Sequence, residues 1–156
     1  MFDLSRFFGK KNNIVLLVDG PNTIRKAFHL DLKEIKKEIG KYGEIRTAKV
    51  YLDQYASDKL IEAMVNQGFK VVITTGDVDV TMAIEGMEYV LDPNVNIIAF
   101  MTRDTDYLPL LHKAKERGKK TIIIATDFAF SAALRNTADI VILFKEKNQV
   151  EHIHNS

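Results

Sequence analysis

At 156 residues the chain suits one domain, on a rule of about 150 residues each, and 46% hydrophobic with 28% charged residues is the composition of a folded globular protein rather than a disordered one. There is no cysteine, which excludes disulfides, thiolate zinc sites and cysteine nucleophiles and makes the cytoplasm the expected setting. The net charge of +1 points to no partner, and the longest apolar runs, around Ile14 and Ile122, fall far short of the roughly 18 residues a membrane helix needs, so no membrane association is expected.

Residues 1–13 hold Phe2, Leu4, Phe7 and Phe8 without a continuous apolar stretch. They read as an N-terminal arm rather than a signal peptide; such an arm can pack on its own domain, on a second copy in a homodimer or on a membrane surface, and packing on protein is the expectation. The domain is expected over 14–144. Its first strand is predicted over 14–18 and is followed by Asp19-Gly20-Pro21-Asn22. Asp31 caps a helix through Ile39, with Leu32, Ile35 and Ile39 on one face and Gly40 just beyond. A second strand is predicted over 48–52. Ser57 then starts a helix that Gly68 closes, and a third strand covers 69–73.

Gly76-Asp77-Val78-Asp79 comes next and leads into a helix from near Asp79 to Leu91. The fourth strand, over 95–100, runs into Thr102-Arg103-Asp104-Thr105-Asp106. A helix beginning near Asp106 tolerates Pro109 in its first turn and stops at Gly118. The fifth strand, over 121–125, is followed by Thr126-Asp127, a short helix after Phe130, and a sixth strand over 140–144. Residues 145–156 read as a polar tail. Continuous apolar runs alternating with helices predict an α/β fold of three layers. Its mainly parallel sheet has about six strands, with helices on both faces.

In an open parallel sheet, ligands bind beyond the carboxyl ends of the strands, where strand order reverses. A common order sets strands one and four side by side there, which brings Asp19 against Asp104 and Asp106. The crossover after strand three then delivers Asp79, and with it the further candidate Asp77. Carboxylates about 4 Å apart repel by about 4 kcal/mol per pair at an effective dielectric of about 20. Such a group either shares protons or holds a hard cation. Oxygen donors without His or Cys suit Mg²⁺ or Mn²⁺, whose chemistry is that of phosphodiester hydrolysis. Asn22, beyond Asp19, is placed to orient water or a phosphate oxygen.

The remaining acids then leave a basic body, which suits an anionic substrate such as RNA, single-stranded or structured. Arg25 and Lys26 have the best claim to phosphates, Arg103 could bind one bidentately, and Tyr107 could stack on an unpaired base. The histidines His29, His112, His152 and His154 are scattered and suggest no metal site. No Gly-x-Gly-x-x-Gly, P-loop or Gly-x-Ser-x-Gly motif is present. An aspartyl phosphatase is disfavoured because Pro21 stands two residues after Asp19, where that class often has a second Asp.

Val18-Asp19-Gly20-Pro21-Asn22 resembles the opening signature of the NYN domain, a branch of the PIN-like ribonuclease superfamily that includes the LabA-like proteins. Val78-Asp79-Val80 is similar to the family's next segment, and Thr102-Arg103-Asp104-Thr105-Asp106-Tyr107 to its Ser-Gly-Asp-Ser-Asp-Phe motif. Ser131-Ala132-Ala133-Leu134 and Ala138-Asp139 resemble its closing pairs. The resemblance covers about residues 14–144. It implies a PIN-like, Rossmannoid fold and metal-dependent cleavage of RNA. Asp19, Asp79, Asp104 and Asp106 would be the catalytic metal ligands with Asn22 beside them, and Thr126 and Ser131 further candidates. Two departures stand out: Gly76-Asp77 where the family often has Lys-Gly, and Arg103 where it has Gly. Some relatives in the superfamily bind nucleic acid without cutting it, so the alternative is a non-cleaving RNA-binding module.

Overall fold

The computed structural model describes residues 11–23, 31–126, 131–145 and 149–155, with the backbone alone at Asn22 and Thr23. The N-terminal arm's aromatics, His29, and the basic pair Arg25 and Lys26 lie outside the described residues. So do Asp127 and the aromatics Phe28 and Phe128.

In chain order the elements are β1 (Asn13–Asp19), α1 (Gly20–Thr23), α2 (Leu32–Ile39), β2 (Glu44–Asp53), α3 (Asp58–Asn66), β3 (Lys70–Thr74) and α4 (Val78–Leu91). There follow β4 (Ile97–Met101), a 3-10 turn (Thr105–Tyr107), α5 (Leu108–Glu116), β5 (Lys120–Ala125), α6 (Ala132–Thr137), β6 (Ile140–Phe144) and β7 (Val150–His154). The sheet order is β3-β2-β1-β4-β5-β6-β7, all parallel except the β6–β7 pair. This is the three-layer α/β fold that the sequence predicts. The correction is in strand number: there are seven strands rather than six, the seventh coming from the segment read as a polar tail.

Central strands buried on both faces need apolar side chains at every position, and β4 and β6 are buried throughout. Alternation divides each strand between two cores. Val15 and Leu17 of β1 face α4, α5 and α6 with Phe100, Met82 and Leu111, whereas Ile14, Leu16 and Val18 pack with Ile35 and Ile39 of α2. The helix boundaries follow local chemistry. Asp31 accepts from the Lys33 N–H (2.9 Å), and Ser57 from the Leu60 N–H (3.1 Å). Gly68 (φ 85°) and Gly118 (φ 77°) take the left-handed conformation that ends α3 and α5. No helix among the described residues is long and apolar enough to cross a membrane.

Candidate metal centre

β1 and β4 lie side by side with Val18 opposite Met101, so Asp19 and Thr102 leave the sheet as neighbours. By strand alternation both continue the rows that face α4 and α5. The contact is direct: the Thr102 hydroxyl donates to Asp19 Oδ2 (3.2 Å) and accepts from the Asp104 N–H (3.1 Å). Asp104 in turn accepts from the Asp106 N–H (2.8 Å), which makes it the cap of the 3-10 turn. A ladder of short-range bonds therefore sets the turn that presents both acids.

The third acid arrives from the other side. The crossover from β3 starts α4 at Val78, placing Asp79 in its first turn. Carboxylate oxygens of Asp79, Asp104 and Asp106 come within 4.8 Å of one another. Like charges so close disfavour ionisation. Asp104 chiefly, then desolvation and Asp79, raise the Asp106 carboxyl above its ordinary value. A donor set of hard oxygens, crowded by its own charge, fits a hard divalent cation, and among the described residues no histidine nitrogen or cysteine sulfur joins it.

Of the four acids predicted as ligands, three meet. Asp19 stands outside that threesome, 1% exposed and bonded to Thr102. The helical turn α1 places the Asn22 backbone three residues after Asp19. Arg103 sits between Thr102 and Asp104, half-buried. Asp77 is exposed as the N-cap residue of α4, without a side-chain capping bond. Thr126 follows β5 directly, on the same edge of the sheet. Ser131 accepts from the Ala133 and Leu134 N–H groups, capping α6.

The expectation for Tyr107 needs correction. At 1% exposure its ring is part of the core with Leu110 and Leu111, so it offers no face to a base. Burial, then Asp19, Asp79 and Asp104, push its phenol well above the ordinary tyrosine range. Thr102, missed as a participant, is the link between the strand ends. Its signal was a hydroxyl at the first position beyond an apolar run, two residues before an acid.

The homoserine dehydrogenase of S. aureus is 19% identical over 76% of this chain and 27% of its own, at a TM-score of 0.41. That likeness is too loose to carry any argument. The uncharacterized protein MJ0482 of Methanocaldococcus jannaschii is 52% identical over 141 residues, 90% of this chain. The chain spans 59% of that relative's length. The family model described as NYN domain matches residues 13–145, and the chain belongs to the NYN domain family.

Proposed function

We propose that the chain is a metal-dependent ribonuclease, hydrolysing RNA phosphodiester bonds with Mg²⁺ or Mn²⁺. The observation that carries this reading is the meeting of Asp79, Asp104 and Asp106 at the carboxyl edge of the sheet. Family membership adds the prior of a PIN-like nuclease superfamily. When bound, such a cation supplies a more acidic water and neutralisation of phosphate charge.

The residues of the chain do the rest. Asp79, Asp104 and Asp106 hold the cation, and Asp19 stands behind them, fixed by Thr102. Asn22 orients water or a phosphate oxygen. Arg103, with Arg25 and Lys26, takes neighbouring phosphates. Asp77 and Thr126, at the same edge, are further contacts with substrate, and Ser131 supports the α6 side. RNA as partner and a cytoplasmic setting belong to the same proposal.

The test uses end-labelled single-stranded and hairpin RNA with Mn²⁺, with Mg²⁺ and with EDTA. The expected result is cleavage that needs the cation and falls at least about tenfold in Asp104→Asn, the scale seen when metal centres are disturbed. Cleavage untouched by EDTA or by the substitution contradicts the mechanism. RNA bound without turnover at any metal concentration marks the non-cleaving module instead.

A further inference from the structure

We propose that His152, His154 and Tyr42 form a second cation site, separate from the acids and suited to a borderline divalent ion such as Zn²⁺. The inference stands independently of the reading of the acids. β7 carries the two histidines two residues apart, and side chains so spaced on a strand share a face. Here both meet the same phenol. The Tyr42 hydroxyl lies 2.5 Å from His152 Nδ1 and 3.3 Å from His154 Nε2. The rings gather with it, their centroids 5.6 Å and 5.8 Å from that of Tyr42. Two imidazole nitrogens and a phenol oxygen thus converge, although Tyr42 stands more than a hundred residues before the histidines.

Glu38 supports the site from behind. Its Oε2 lies 2.8 Å from His152 Nε2. A carboxylate only accepts, so in the neutral ring that nitrogen carries the hydrogen and Nδ1 keeps its lone pair, turned to the Tyr42 oxygen. A carboxylate at one ring nitrogen and a metal at the other is the usual setting of a metal-binding histidine. Glu38 is 7% exposed and also paired with Lys41, which fixes it behind the ring; it is not one of the donors. His154 is exposed, so the convergence point is open to an ion and to the water that completes its coordination. Imidazole suits zinc, nickel and copper, whereas carboxylates alone suit magnesium and manganese. Bonds of about 2.0–2.1 Å from zinc to its ligands put tetrahedral neighbours about 3.3 Å apart. The Tyr42–His154 spacing already has that value, and the Tyr42–His152 hydrogen bond lengthens toward it.

Zn²⁺ is the probe, added to the full chain carrying Asp104→Asn so that the acids compete less for it. Calorimetry is expected to show Zn²⁺ binding that His154→Gln weakens at least about tenfold, the loss that even a supporting partner of a metal causes. The melting temperature in EDTA is expected to stay the same, because His154 is exposed and glutamine leaves the strand pairing intact. Zinc-edge anomalous diffraction from soaked crystals supplies a reading that needs no substitution at the site. A peak within bonding distance of His152 Nδ1 and His154 Nε2 is expected. Zn²⁺ affinity unchanged by His154→Gln, or a soaked crystal with no zinc between the two histidines, overturns the proposal and leaves the reading of the acids intact.

Discussion

Gly20 follows Asp19 directly, and its place is set by closeness rather than by an unusual backbone angle. A Cβ there would lie 2.4 Å from Leu52 Cδ2 and 2.5 Å from the Tyr51 carbonyl oxygen. The leucine methyl can swing away, but the carbonyl belongs to β2 and cannot. Gly20→Ala is therefore predicted to destabilise the protein by about 1–3 kcal/mol, as overpacking does. A urea midpoint lowered at unchanged m-value would show it, and an unchanged midpoint would contradict it. The residue pattern made Asp79, Asp104 and Asp106 legible, because acids just beyond apolar runs are unusual enough to notice. It did not reveal that Tyr107 turns inward. A single aromatic between a charged turn and an apolar helix start suits either side, and only packing against Leu110 and Leu111 decides.

β7 is the element the sequence hides. Val150, His152 and His154 alternate with Glu151 and Ile153, but a short polar strand beside a charged run reads as a tail. The fold gives it partners that lie more than a hundred residues earlier in the chain. His152 Nε2 meets Glu38 Oε2 (2.8 Å), its Nδ1 meets the Tyr42 hydroxyl (2.5 Å), and Lys41 Nζ lies 2.7 Å from the same Glu38 oxygen. The strand is thereby tied to the end of α2. Hydrogen bonding from Lys41, then from His152, holds the Glu38 carboxyl below its usual range despite its burial. In acid the unfolded chain binds this proton more readily than the folded one. Stability from Glu38 is thus complete above the ordinary carboxylate pKa and is lost as pH falls through the lowered folded value. Glu38→Gln is predicted to lower stability at neutral pH and to flatten the rise in urea midpoint between about pH 3 and about pH 5. A variant with the wild-type pH slope would contradict the latch.

At the scale of the molecule, the strand order reverses between β1 and β4, beside which the acids gather; strand–helix alternation predicts a parallel sheet, but the order itself comes from the common doubly wound arrangement, which the sheet matches. Less readable was the reach of the crossover into α4. Its course depends on packing such as the Lys49–Glu85 ion pair (2.6 Å) between β2 and α4, a contact between residues far apart in the chain. The central claim is that carboxylates from distant segments hold one hard cation. Crystals soaked in Mn²⁺ and measured at the manganese absorption edge test it most directly. An anomalous peak bonded to Asp79, Asp104 and Asp106, and missing in Asp104→Asn, is the predicted result. A well-diffracting soaked crystal with no manganese among those three carboxylates would contradict it.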